Sequence, residues 1–246
     1  MPETFRENED QKVEAEKGEV LNRLLVRIPS EEEKQNVADI VRRSEFLSMD
    51  TEYSNYWQIA LDENEGRVDE NILGIFKEKL TDKIVVDLGG GKETMRQAIG
   101  FSGIYPSLYV NVDKFLFDGD DDLNRKTSQG FPYGVSSLVW QGEKNINHLE
   151  VDAEMLGFLQ YIEDNSVDAI SLNGIDVIIA GGTGYHEELG QQIYRALKAG
   201  GILFGVDSRA IELLSRDKDF SAKWESKFNA NSGEVQILEK KAKEEK

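Results

Sequence analysis

Lys83-Ile84-Val85-Val86-Asp87-Leu88-Gly89-Gly90-Gly91-Lys92-Glu93 reads as a short strand that ends in an acid and a glycine-rich turn. Ile84, Val85 and Val86 form an unbroken β-branched run, which suits a central parallel strand covered on both faces. The glycines permit backbone angles closed to other residues and let a ligand lie against the main chain. In open α/β sheets such a strand–turn–helix junction sits at the edge where nucleotides bind. Glycine-rich strand ends also serve tight helix–strand packing, so the downstream segments must decide between the two.

Beyond this turn, strands and helices alternate. Further strands are predicted over Leu108–Asp113, about His148–Val151, Val167–Leu172 and Ile202–Asp207. Helices are predicted over Thr94–Gly100, Tyr185–Lys198 and Ala210–Leu214, the second of them terminated by Gly200-Gly201. Two closing segments, one carrying Ala222, Trp224 and Phe228 and the other Val235, Ile237 and Leu238, flank the turn-rich Asn229–Gly233 as a hairpin. The expected fold is therefore α/β: a Rossmann-like, doubly wound, mostly parallel seven-stranded sheet with a C-terminal antiparallel hairpin.

Upstream of Ile84 the pattern is helical. Pro29-Ser30-Glu31-Glu32-Glu33 offers a serine N-cap with a glutamate three residues on, and Val37, Ile40, Val41 and Leu47 come next at helical spacing. Tyr53, Tyr56, Trp57 and Leu61 form a second apolar stripe, and Ile72, Ile75, Phe76 and Leu80 a third. The chain thus divides into a disordered acidic tail at 1–20, an N-terminal helical cap at 21–82, the α/β domain at 83–239 and a charged tail at 240–246. Residues 114–146, longer than a connection with one helix requires, read as an insertion.

Composition excludes several classes of function. The chain has 246 residues and no cysteine, so disulfides and thiolate metal sites are impossible. Its two histidines, His148 and His186, argue against a His-rich metal centre, and no metal site is expected. A formal charge of −18 argues against a broad nucleic-acid surface. No apolar run approaches the roughly 18 residues of a membrane span, and the acidic N-terminus is unlike a signal peptide. A cytoplasmic protein without membrane or nucleic-acid partners is expected.

The glycine turn gains meaning from an ordered series of acidic strand ends beyond it. Val110-Asn111-Val112-Asp113 ends the next strand in a carboxylate, which can accept hydrogen bonds from both hydroxyls of a ribose. Val151-Asp152-Ala153-Glu154 closes the third strand with another acid. Asn165-Ser166-Val167-Asp168 leads into the fourth, and Leu197-Lys198-Ala199-Gly200-Gly201 into the fifth.

This series resembles the class I S-adenosylmethionine-dependent methyltransferases, over about Ile84 to Leu238. That family shows an acid-x-Gly-x-Gly turn, an acid after strand two, Asp-Ala after strand three, Asn-Ser-Phe-Asp before strand four and Leu-Lys-Pro-Gly-Gly before strand five. The matching residues are Asp87, Gly89 and Gly91, then Asp113, Asp152-Ala153, Asn165–Asp168 and Leu197–Gly201. Glu93 stands where the family often has a third glycine, and Ala199 replaces its proline. The resemblance implies that S-adenosylmethionine lies over the strand ends: Asp87, Gly89, Gly90 and Gly91 at its amino-acid portion, Asp113 at the ribose, Asp152 and Ala153 around the adenine. Asn173, just past strand four, falls near the sulfonium. The implied activity is methyl transfer to a small-molecule acceptor; because alignment and water exclusion can carry much of that reaction, no catalytic residue is assigned.

Two other readings stay open. Glu93 and the acidic insertion suit a catalytically inactive, methyltransferase-like binding or scaffold module. Asp113 also suits a nicotinamide cofactor, although the glycine run does not continue in a Gly-x-Gly-x-x-Gly spacing. Other candidates read as structural: His186 as a surface residue of an exposed helix start, Asp118, Asp120 and Asp122 as a solvated loop without the glycine a calcium loop needs, and Tyr53, Tyr56 and Trp57 as a packing stripe. Leu172-Asn173-Gly174-Ile175 lacks the Pro-Pro-aromatic motif of base-amine methylation.

Overall fold

The computed structural model describes residues 24, 27–43, 70–90, 100, 102–113, 147–172, 184–206, 211, 224–229 and 235–242. Helix α1 (Glu31–Arg43) and α2 (Glu70–Leu80) precede the strands β1 (Ile84–Leu88), β2 (Leu108–Asp113) and β3 (Asn147–Asp152). Then come α3 (Met155–Leu159), β4 (Val167–Leu172), α4 (Gly184–Ala196), β5 (Leu197–Val206), β6 (Trp224–Asn229) and β7 (Val235–Lys240). The N-terminal tail, residues 243–246, the insertion at 114–146, the stripe at Tyr53–Leu61 and most of the helices expected at 94–100 and 210–214 lie outside the described residues. Lys240, expected in the charged tail, is instead the buried last residue of β7.

One sheet holds the strands in the order β3-β2-β1-β4-β5-β7-β6. The first five strands pair in parallel, while β7 runs antiparallel to both β5 and β6. The chain leaves β1 outward to β2 and β3, then returns to β4 on the other side of β1. That reversal opens a crevice at the carboxyl ends of β1 and β4, where α/β sheets take their ligands.

Side chains on a strand alternate between faces, and the registers sort them into two layers. Val86, Leu88, Val110, Val112, Ile170, Leu172 and Leu203 share a buried cluster with residues of α1, α3 and α4. Val85, Tyr109, Ala169, Ile202, Phe204 and Ile237 face the other way, onto Ile72, Phe76 and Leu80 of α2. There the Phe76 and Phe204 rings meet at 4.9 Å, tilted by 53°. A central strand covered on both faces must be apolar at both parities, which is why Ile84–Val86 shows no alternation.

Helix α1 begins at the expected capping box. The Glu33 N–H donates to Ser30 Oγ at 3.2 Å, and the Ser30 N–H donates to Glu33 Oε2 at 2.7 Å. Arg27 also bonds Glu33 and donates to the Gln160 carbonyl at 2.8 Å, tying the helix start to the end of α3. The Ser30 amide, with Arg27, lowers the Glu33 pKa below its ordinary value of 4.5. The carboxylate therefore stabilises the folded chain fully above about pH 4.5, and the contribution is lost as pH falls through the lowered value.

The segment before strand five differs from expectation. Helix α4 stops at Ala196, and Gly200-Gly201 lie inside β5 rather than at a helix terminus. Val167 pairs with Leu197, but Ala169 pairs with Ile202, so residues 198–201 bulge out of the ladder. Gly200 takes φ +75° there, and a methyl group on Gly201 would stand 2.9 Å from the Asp168 and Lys198 carbonyl oxygens. A glycine in the left-handed region serves a bulge as well as a helix end.

Both family-like segments flanking β4 and β5 turn out to build the amino edge of the sheet. Asn165 adopts φ +54°, and Ser166 Oγ donates to the Glu163 carbonyl at 2.7 Å. Asp168 accepts the Ile84 N–H at 3.0 Å and the Lys198 ammonium at 2.8 Å, clamping β1, β4 and the β5 bulge together. These residues hold the fold from the end away from the crevice.

Candidate functional site at the carboxyl ends of the strands

At the end of β1, Gly89 takes φ +72° and donates its N–H to the Val112 carbonyl at 2.8 Å. The parallel ladder with β2 thus runs one residue beyond the strand before the chain turns. Gly90 is then pressed onto the sheet: a methyl group there would stand 2.4 Å from both Asp87 Oδ2 and Asn111 Oδ1. No residue with a side chain fits that position without displacing one of them. The glycine is required by close approach rather than by its φ.

Beneath this turn lies a row of buried polar side chains. Asp87 is in register with Asn111 on one side and Ser171 on the other, and each is at most 1% exposed. Tyr109, on the same face of β2, donates its hydroxyl to Asp87 Oδ2 at 2.5 Å. Asp87 is thus held below the turn, under Gly90. Asp113 and Asp152 are Cα partners as the last residues of β2 and β3, with Asp113 half-buried and Ala153, next along the chain, buried. Gly91, Glu93 and Asn173 lie outside the described residues, Asn173 immediately after Leu172 at the end of β4.

The acid that caps α3 is Glu154. Its Oε2 accepts the Gly157 N–H at 2.8 Å, and its Oε1 accepts the Tyr185 hydroxyl at 2.5 Å. One carboxylate therefore joins the β3–α3 junction to the first turn of α4. Burial first, and the Glu154 charge second, push the Tyr185 phenol well above its ordinary pKa of 10.0. Tyr185 stays a donor through neutral pH; its contribution is complete below pH 10 and is lost as pH rises through the raised value. Tyr185→Phe is expected to cost roughly 1.5–3 kcal/mol, the range for a hydrogen bond to a charged group. Denaturant unfolding monitored by far-UV circular dichroism checks it, and an unchanged midpoint contradicts it.

His186 is next in the same turn, half-buried, its ring edge-on to Tyr185 with centroids 6.2 Å apart. Sequence reasoning passed over Tyr109, Asn111, Glu154 and Tyr185. Tyr109 and Asn111 do carry a signal, because they place polar atoms at alternate positions of an apolar strand, on one face with Asp87's. Tyr185 has none, since only the packing of α4 against α3 brings it to Glu154.

The half-buried Asp113 at the end of β2 suits a ligand with hydroxyls, while Asp87 and Glu154 are taken up by bonds within the fold. Carboxylates accept hydrogen bonds from hydroxyls and amines and repel phosphates. Among the described residues no group of three or more Asp, Glu or His side chains is placed to hold a metal ion, and no helix is long and apolar enough to cross a membrane.

No family model matches the chain, and no curated protein matches it. Solved structures do. A methyltransferase from Geobacter sulfurreducens aligns at 12% identity and TM-score 0.41, over 89% of this chain and 100% of its own. The PH0226 protein of Pyrococcus horikoshii aligns at 16% and 0.40, over 76% and 95%. MycE, a methyltransferase of the mycinamycin biosynthetic pathway solved with magnesium and SAH, aligns at 12% and 0.43, over 75% and 49%. At these scores the likenesses add no weight to the strand order and registers described above.

Proposed function

We propose that this chain transfers a methyl group from S-adenosylmethionine to a small-molecule acceptor. The observation that carries the reading is the glycine turn at the switch point of the sheet, with Gly90 packed directly on Asp87 and Asn111. Acids at the ends of β2 and β3 flank it. These acceptors fit the hydroxyl and amine donors of the cofactor's sugar and base.

When bound, the cofactor supplies an electrophilic methyl group on a sulfonium sulfur. Gly89 and Gly90 keep the main chain free of side chains, so its polar groups can meet the amino-acid portion at close range. Asp113 accepts hydrogen bonds from the ribose hydroxyls, while Asp152 and Ala153 frame the adenine, the acid taking its amino group. Asn173, next after β4 in the sequence, is assigned to the sulfonium and the incoming nucleophile. The chain's part in catalysis is to align the nucleophile with the methyl carbon and keep water away.

Titration calorimetry with S-adenosylhomocysteine, then label transfer from S-adenosylmethionine to a panel of small oxygen, nitrogen and carbon nucleophiles, tests this. Saturable binding with transfer to at least one acceptor is expected. Binding without transfer to any acceptor favours the catalytically inactive module, and no binding at millimolar ligand overturns the reading.

A further inference from the structure

We propose that Tyr109 is a positioning residue for the cofactor: its phenol locks the Asp87 carboxylate under Gly90 and so fixes the level of the glycine turn. The inference rests on the function proposed above and concerns a residue in register two positions below Asp87.

Tyr109 is in register with Val85, one step below the Asn111–Asp87 pair on the same face, and is itself 1% exposed. From there its side chain reaches up along the sheet to Asp87 Oδ2, 2.5 Å from the hydroxyl. A carboxylate taken out of water needs such donors, and one given by a hydroxyl to a charged oxygen is short and strong. The same oxygen, Oδ2, is one of the two atoms that a methyl group on Gly90 would meet at 2.4 Å. The Asp87 carboxylate thus fills the space that a side chain at position 90 would take, and the turn rests on it. The phenol therefore sets the height at which the turn's main chain meets a ligand, without touching that ligand.

The test compares the parent chain with Tyr109→Phe, Asp87→Asn and the double variant. Two readouts are used: calorimetric affinity for S-adenosylhomocysteine and hydrogen exchange of the ligand-free proteins. Tyr109→Phe removes one oxygen and keeps the ring that packs against α2. It is expected to weaken binding about tenfold, the scale of one displaced hydrogen-bonding contact. It is also expected to speed exchange in peptides covering the glycine turn while leaving α1 and the amino edge unchanged. Because Tyr109 acts through Asp87, the double variant binds no more weakly than the weaker single variant. Affinity within twofold of the parent, losses that add in the double variant, or exchange that rises evenly across the protein each overturn the proposal. No binding by the parent chain overturns it together with the function on which it rests.

Discussion

Replacing Gly90 by alanine is expected to abolish tight binding of S-adenosylhomocysteine while the protein still folds. The new methyl carbon would stand 2.4 Å from Asp87 Oδ2 and Asn111 Oδ1, well inside contact distance. Both side chains are buried, and Asp87 is held by Tyr109, so neither can swing into solvent. The turn must lift instead. Overpacking of this kind costs about 1–3 kcal/mol, and a chain of this size loses roughly 2–4 °C of melting temperature for each kcal/mol. A fall of several degrees in melting temperature is therefore expected in the ligand-free protein. The affinity loss is expected to be on the order of 100-fold, because the displaced backbone is the part proposed to meet the ligand. Calorimetry and a thermal melt on the same preparation separate the two effects. Unchanged affinity would show that the turn is packing alone.

The opposite pattern is expected for Lys240→Met: a large loss of stability with cofactor affinity preserved. Lys240 is the last residue of β7 and only 6% exposed. Its ammonium donates to Asn165 Oδ1 at 3.0 Å and to the Tyr194 and Leu197 carbonyls at 2.7 and 2.5 Å, and it lies 4.3 Å from the centre of the Tyr194 ring. The Tyr194 carbonyl lies in the last turn of α4 and that of Leu197 just beyond it, where the helix leaves acceptors unsatisfied and presents the negative end of its dipole. Methionine fills a similar volume and leaves three acceptors without this donor. The expected cost is roughly 3–4 kcal/mol, less than the sum of the separate bonds because the site relaxes, or about 10 °C in melting temperature. Since β7 meets the start of β5, this cluster lies at the amino edge, away from the crevice. A melting temperature within about 2 °C of the parent's contradicts the expectation, as does a changed affinity.

These contrasts show which parts of the structure local sequence could disclose. β1, β2 and β4 have the bounds expected from their apolar runs, because strands covered on both faces are mainly apolar, even with Asp87, Asn111 and Ser171 forming one buried polar row across them. The capping box was legible for the same reason, since its partners lie three residues apart. The bulge at Lys198–Gly201 was not. A lysine close before two glycines satisfies a helix end equally well, and the register with β4 alone decides the matter. At the candidate site, Asp113 and Asp152 could each be named from a strand end. That they are direct partners depends on β3 lying beside β2, a consequence of topology rather than of either segment. Asp87 shows the same limit. Its place beside the glycines is plain in the sequence, but its burial beneath Gly90 and its bond to Tyr109 appear only when β2 is laid against β1.

A crystal structure of the chain with S-adenosylhomocysteine would test the proposed cofactor site without intermediary. The expected result places the ligand across the carboxyl ends of β1 and β2, its homocysteine portion on the main chain of the glycine turn. The ribose hydroxyls should then stand about 2.5–3.0 Å from Asp113. A ligand bound elsewhere, or an Asp113 carboxylate turned away from an occupied crevice, would contradict it.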